Sequence, residues 1–301
     1  MTAAIPFIGE PEIRAALRTG PLVDAMADAL IAFSRGEVEQ PVRTATPLPG
    51  KDAVMLTKPA VAALAAVKVV TLVPENAARG LPTHQALVLA FDPETGAPRA
   101  ILEGTSITEI RTAAASAGGA RGLLATIPRR MAVIGSGVQA RSHVRVFREV
   151  FGIEDVALWS PTEANARAAA EETGAAYAES AETACAGADI VIAATSSTTP
   201  AVADAWLDAG TLVVSVGAPL KQWRELDDAL MRRPLYVDSR EAALAESGDV
   251  IATGAEPVAE IGAVLAGDAA ADRDVTRVFK SGGLAVEDAA AAKLVLDALG
   301  V

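Results

Sequence analysis

Residues 131–140 read MAVIGSGVQA, a short apolar run that passes directly into Gly-x-Gly-x-x-Ala and on into SHVRVFREVF, a segment with helical spacing. No other feature constrains the fold as strongly. Gly135 permits a tight turn out of a strand, Gly137 lets backbone N–H groups approach a pyrophosphate at a helix N-terminus, and Ala140 lets the helix sit close on the strand. A glycine pattern alone is weak, but strand-like runs recur at 155 (DVALW), 189 (DIVIAAT), 211 (TLVVSVG) and 235 (LYVDS), with helical stretches to about 150 and around 163–173. Strands separated by helices predict a parallel, doubly wound Rossmann domain, assigned to 121–279.

The front of the chain has a different texture. Residues 11–34 carry apolar residues at helical spacing, with Gly20-Pro21 expected to end one helix and start the next. From 40 to 103, the runs VRTATPL, AVMLT, AVKVVTLV, ALVLAFD and RAILEG are separated by turn-forming residues, which predicts a mostly antiparallel sheet. A small-residue helix over 108–124 leads out of this domain, and the tail from 287, EDAAAAKLVLDAL, is an amphipathic helix in need of a partner. The expected organisation is therefore α/β: the Rossmann domain plus a discontinuous α+β domain, 1–120 with 280–301 returning to it.

Composition narrows the function. With 301 residues and 51% hydrophobic positions the chain can bury two domains, and a net charge of -12 argues against nucleic acid or an anionic membrane as partner. The single cysteine, Cys185, and two histidines, His84 and His143, cannot form a disulfide or a zinc-type ligand set, so no metal is expected. No G-x-S-x-G elbow, secretory leader or membrane-length apolar stretch is read, and a cytoplasmic location is expected. The partner is expected to be small.

Three cations stand where the pattern wants none. Lys68 lies inside AALAAVKVVTLV, Arg43 follows Gln40-Pro41-Val42, and Arg111 sits in TEIRTAAASA. A lysine in such a strand faces solvent, snorkels, neutralises or meets a buried anion, and arginines can clamp a carboxylate bidentately or pair at the surface. His84, in PTHQ, is a candidate hydrogen-bond donor or proton shuttle, or else a packing residue; His143 reads as packing. After the second strand of the Rossmann unit, Trp159-Ser160-Pro161-Thr162 offers neither an acid for a ribose nor an arginine for a 2′-phosphate, which leaves NADPH and NADH open.

Eight strings in order carry a resemblance: QPVRT at 40, VKVVTL at 67, PTHQA at 82, IRTAAASA at 110, IGSGVQARSH at 134, WRELDDALM at 223, LYVDSREAALAESGDV at 235 and AVEDAAAAKLV at 285. Over nearly its whole length the chain resembles the ornithine cyclodeaminase/mu-crystallin family, on the side of the mu-crystallin-like ketimine reductases and bacterial Δ1-pyrroline-2-carboxylate reductases. The resemblance implies an NAD(P)H-dependent oxidoreductase of small imino or amino acids, homodimeric through the sheets of its N-terminal domain. It implies that Arg43, Lys68 and Arg111 are substrate-carboxylate and active-site cations, with Thr83 and His84 beside the substrate. It places Gly137, Val138 and Gln139 at the pyrophosphate, and Ser160, Thr162 and Asn165 at the adenosine ribose; Thr112 and Thr195 join Gly135 as cofactor contacts. Pro161 stands where the family commonly has an arginine.

Ornithine cyclodeaminase-type members carry G-x-D-x-P-G-K where this chain has Gly217-Ala218-Pro219-Leu220-Lys221-Gln222-Trp223. Pro219 cannot accept a proton, which disfavours cyclodeamination and suits a pocket for an apolar ring. The expected reaction delivers a nicotinamide hydride to the C=N carbon of a cyclic ketimine carboxylate held by Arg43 and Arg111, with Lys68, His84 or water supplying the proton. Acid chemistry by Asp227 or Asp228 is not expected, because ELDDALM reads as a helix start. An alanine dehydrogenase-like enzyme, an ornithine cyclodeaminase and a non-catalytic small-ligand binder are the alternatives.

Overall fold

The computed structural model describes residues 4–218 and 220–301. They divide into two compact units: the chain up to Arg111 together with Leu284–Val301, and Thr112–Gly283.

In the first unit a six-stranded sheet has the order β1-β6-β5-β4-β3-β2, with β1 (Phe7–Ile8), β2 (Thr44–Pro47), β3 (Val54–Val61), β4 (Ala65–Leu72), β5 (His84–Phe91) and β6 (Pro98–Glu103). All neighbours are antiparallel except β1 with β6. Strict alternation decides the faces: Leu56, Lys58 and Ala60 of β3, Ala66, Lys68 and Val70 of β4, and Ala86, Val88 and Ala90 of β5 are buried, while the residues between them are half-buried or exposed. Helices α1 (Glu10–Ala16) and α2 (Thr19–Ser34) precede the sheet's main run. Leu22, Val23, Met26 and Leu30 of α2 are fully buried, which stabilises the unit by roughly 1.5–3 kcal/mol each. The break between these helices falls at Leu17–Arg18 and not at Gly20-Pro21. Pro21 lies in the first turn of α2, where its missing N–H has no helical partner to forgo.

A long helix, α3 (Gly104–Leu123), contains Arg111 and Thr112, the two residues at which the units divide. In the second unit eight strands are parallel throughout. They are β7 (Arg130–Ile134), β8 (Asp155–Trp159), β9 (Ala176–Tyr177), β10 (Ile190–Ala193), β11 (Leu212–Ser215), β12 (Leu235–Val237), β13 (Ala259–Glu260) and β14 (Arg277–Lys280), in the order β13-β12-β14-β11-β10-β7-β8-β9. Helices α4 (Val138–Phe151), α5 (Glu163–Thr173), α6 (Ala181–Cys185), α7 (Arg240–Glu246), α8 (Gly248–Thr253) and α9 (Ile261–Leu265) lie between strands. Every residue of β10, β11, β12 and β14 is buried, as a sheet covered on both faces requires. The run β9-β8-β7-β10-β11 is the doubly wound order, and it reverses between β7 and β10.

Two details depart from expectation. Strand β14 was not read from Arg277–Lys280, yet it inserts between β11 and β12. ELDDALM is not a helix start: it leads into a single 3-10 turn, Leu230–Arg232, with Asp227 Oδ1 accepting from Leu230 N at 2.7 Å. The last helix, α10 (Ala285–Leu299), belongs to the first unit and packs on α2, β3 and β4. Among the described residues no helix is long and apolar enough to cross a membrane.

Candidate functional site

The first unit concentrates charge on the inner face of its sheet. Lys58 and Lys68 are directly opposite one another in the β3–β4 register, and both are buried. Like charges so placed repel across ~4.5–5.5 Å, so the arrangement persists only with compensating anions. Two come from the first turn of α10. Asp288 Oδ1 accepts from Lys68 Nζ at 2.8 Å and from Arg111 Nε at 2.8 Å, and its Oδ2 lies 2.7 Å from Lys68 Nζ. Glu287 Oε2 accepts from Arg111 Nη1 at 2.6 Å. Lys68 also donates to Thr108 Oγ1, one turn before Arg111 on α3, at 3.2 Å. Gln40, from the QPVRT string, accepts the Val286 N–H at 2.8 Å and so caps the helix that carries both acids.

Burial works against ionisation of Asp288, but Arg111, Lys68 and Lys58 outweigh it and hold the carboxyl well below the usual range. Burial lowers the Lys68 ammonium, with the Asp288 carboxylate pulling back and Arg111 and Lys58 adding to the fall. Lys58 is lowered to about 8, chiefly by burial; Asp288 opposes this, and Arg111 and Arg43 reinforce it. His84, half-buried at the start of β5, is lowered to about 4 by burial and by the Lys68 and Arg111 charges. Thr83 is half-buried beside it, and its carbonyl accepts from Val73 N. Arg43 is half-buried and lies within the field of Lys58.

Lys68 and Arg111 therefore meet on one carboxylate, His84 lies within electrostatic reach of the same group, and Arg43 acts on Lys58 beside it. Sequence reasoning did not single out Lys58, Thr108, Glu287 or Asp288. For Lys58 a signal exists, since in VMLTKPAV it shares the parity of the apolar residues Leu56 and Ala60.

In the second unit, the turn after β7 fits a dinucleotide. Gly135 has φ of 130°, and a Cβ there would stand 2.3 Å from the Ala194 carbonyl oxygen after β10, so only glycine is accommodated. Gly137 is the N-cap of α4, no side chain caps that helix end, and a Cβ at Gly137 would meet nothing within 4 Å. Open backbone N–H groups at a helix N-terminus beside a strand-order reversal suit a pyrophosphate. Val138 is exposed and Gln139 half-buried on the same turn. Ser160 is buried and accepts from Ser136 Oγ at 2.9 Å, while Thr162 and Asn165 are exposed at the start of α5. Thr112 is half-buried on α3. Pro219 lies outside the described residues.

A second buried polar cluster sits at the carboxyl ends of β10, β11 and β14. Glu225 accepts from Thr195 N at 2.6 Å, Thr195 Oγ1 at 2.8 Å, Ser215 Oγ at 2.6 Å and Gly217 N at 2.9 Å. Asp249 accepts from the Glu225 and Leu226 N–H groups at 2.9 and 3.1 Å. Lys280 donates to Ser215 Oγ at 2.8 Å and to the Gly217 carbonyl at 2.9 Å, and lies 3.1 Å from Asp249 Oδ2. His143 is buried on α4, between Gln139 O at 2.7 Å and Ser116 Oγ at 2.9 Å, and is a packing residue.

Residues 10–300 match the ornithine cyclodeaminase/mu-crystallin family. The mouse (Mus musculus) protein named ketimine reductase mu-crystallin is 40% identical over 99% of this chain and 98% of its own length. Δ1-pyrroline-2-carboxylate reductase 2 of Burkholderia ambifaria is 35% identical over 98% of this chain and 96% of its own. Among solved structures, the Δ1-pyrroline-2-carboxylate reductase of Thermococcus litoralis, in complex with NADH and L-proline, superposes with a TM-score of 0.92 at 34% identity, covering 98% of this chain and 97% of that one.

Proposed function

The chain belongs to the ornithine cyclodeaminase/mu-crystallin family, and from that premise we propose that it reduces a small cyclic ketimine carboxylate with NADH or NADPH. The best substrate is Δ1-pyrroline-2-carboxylate, giving L-proline, and Δ1-piperideine-2-carboxylate, giving L-pipecolate, is of the same class.

One observation carries the reading: among the described residues on the inner face of the first unit, three buried cations, Lys58, Lys68 and Arg111, face two buried carboxylates, Glu287 and Asp288. A buried surplus of positive charge calls for an anion, and a substrate carboxylate supplies one. Arg111 is held at Nε by Asp288 and at Nη1 by Glu287, so the orientation of its planar guanidinium is fixed before the substrate arrives. In this reading Arg111, Lys68 and Arg43 hold the carboxylate, and Thr83 and His84 border the ring. Gly135, Gly137, Val138 and Gln139 hold the pyrophosphate; Ser160, Thr162 and Asn165 hold the adenosine ribose; Thr112 and Thr195 contact the remainder of the cofactor. When bound, the reduced nicotinamide supplies a hydride to the imine carbon.

We also propose a homodimer formed through the outer face of the first sheet. There Val67, Val69, Leu87, Leu89 and Phe91 are half-buried or exposed, a contiguous apolar surface. Sedimentation should give twice the chain mass, and Leu87→Lys should shift it toward one.

Purified protein mixed with reduced cofactor and Δ1-pyrroline-2-carboxylate should oxidise the cofactor and form proline. Release of ammonia from ornithine at a comparable rate would overturn this assignment, and a preference for pyruvate plus ammonia over the preformed imine would mark an alanine dehydrogenase. Tight cofactor binding with no turnover of any imine would mark a binding protein.

A further inference from the structure

Imine reduction adds a proton to nitrogen as well as a hydride to carbon, and the sequence leaves the proton's source open between Lys68, His84 and water. The first unit narrows the choice. Lys68 Nζ donates to Asp288 Oδ1 at 2.8 Å and to Thr108 Oγ1 at 3.2 Å, and its charge is held 2.7 Å from Asp288 Oδ2, so its ammonium is engaged in a buried ion pair. His84, lowered to about 4, carries no imidazolium proton at neutral pH. Arg111 does not give up a proton in proteins. Lys58 stands directly opposite Lys68 in the register, on the same inner face, and lies within the field of Asp288 and Arg111.

Resting on the reductase reading above, we propose that Lys58 donates the proton to the imine nitrogen. Its Nζ–H bond breaks and an N–H bond forms on the imine nitrogen, while the hydride from the reduced nicotinamide makes the new C–H bond. The C=N group is reduced, the nicotinamide oxidised, and the neutral lysine recovers its proton from water. The groups around Lys58 suit this task. Asp288 and Glu287 from α10 favour its charged form; Arg111 from α3, Arg43 ahead of β2 and Lys68 from β4 disfavour it; and His84 from β5 is neutral. With burial, the outcome is an ammonium that is charged at neutral pH and parts with its proton near pH 8, close to the optimum for a general acid.

The test uses Lys58→Met and Lys58→Arg in the full chain. Wild-type kcat/KM should fall above about pH 8, the value to which Lys58 is lowered in the ligand-free protein. Both variants should lose kcat by about 100-fold or more, because arginine keeps the charge but cannot donate. Lys58→Arg should still bind pyrrole-2-carboxylate within a few-fold of wild type. A readout free of turnover is calorimetry of pyrrole-2-carboxylate binding to the cofactor-free protein near pH 8, in buffers of different ionisation heat. The wild type should take up part of a proton as the arriving anion favours the ammonium, and Lys58→Met should not. Wild-type kcat in Lys58→Arg, a high-pH fall that survives in Lys58→Met, or proton uptake that persists without Lys58 would overturn the proposal while leaving the reductase reading intact. A wild type inert toward every cyclic imine would overturn both.

Discussion

The two buried polar clusters have opposite charge balance. At the carboxyl ends of β10, β11 and β14, one buried cation, Lys280, with the half-buried Arg224 3.9 Å from Asp249, meets two acids, Glu225 and Asp249, and both Glu225 oxygens and Asp249 Oδ1 accept from backbone N–H groups and hydroxyls of Thr195, Ser215, Gly217, Glu225 and Leu226. On the inner face of the first sheet, three cations meet two acids, and directly opposed lysines supply two of the three. A network whose acids accept mainly from backbone N–H groups and hydroxyls fixes backbone, here the loops that follow β10 and β11. A cluster left with charge of one sign is a binding site in waiting.

If that contrast is sound, removing a cation should act differently in the two places. Lys280→Met leaves two buried carboxylates without their buried cation, with only the half-buried Arg224 3.9 Å from Asp249, and should cost about 3–5 kcal/mol in chemical denaturation. Lys68→Met, by contrast, leaves two cations against two acids, so its thermal midpoint should move far less. Its kcat/KM for the cyclic imine should nonetheless fall by roughly 10²–10³, the loss typical of one preorganised charge donor. Equal destabilisation by the two substitutions would erase the distinction.

A smaller effect has the opposite sign. Because burial lowers Lys58, charging it opposes folding, and Lys58→Met should stabilise the protein at pH 7 by about 1–3 kcal/mol in the same denaturation experiment. The linkage follows from proton counts: between about 8 and the ordinary lysine value the unfolded chain holds a proton that the native chain has lost, so the Lys58 contribution to stability rises with pH across that window. The acid limb is set by the two histidines. His84 and His143 are both lowered from 6.5 to about 4, so the unfolded state binds more protons between those values. Stability from the two histidines is complete above 6.5 and falls as pH drops toward 4, and His143→Gln should flatten that slope in a pH series of thermal midpoints.

Much of the fold was legible because its signals are local. The glycine turn at 135–140, the βα alternation behind it and the period-two strands of the first sheet lie within a few residues of one another. Lys68 and Arg111 were visible as charges in apolar or small-residue runs. What escaped depends on distance along the chain. Asp288 is 220 residues from Lys68 and 177 from Arg111, and a Glu-Asp pair in a helix's first turn reads locally as dipole compensation. Lys58 precedes Pro59, a residue disfavoured inside strands, and the run AVMLT stops one residue short of the lysine, whereas the strand continues to Val61. The strand at Arg277–Lys280 is only four residues long and gains its place from the neighbours it joins.

The surplus charge of the first unit can be probed with a neutral twin of its proposed ligand. Calorimetric titration of the protein with pyrrole-2-carboxylate and with pyrrole-2-carboxamide compares molecules of the same shape that differ in one negative charge. The acid should bind and the amide should not, and Arg111→Met should abolish the difference. Equal binding of acid and amide to the wild-type chain would mean that the buried cations serve something other than an anionic substrate.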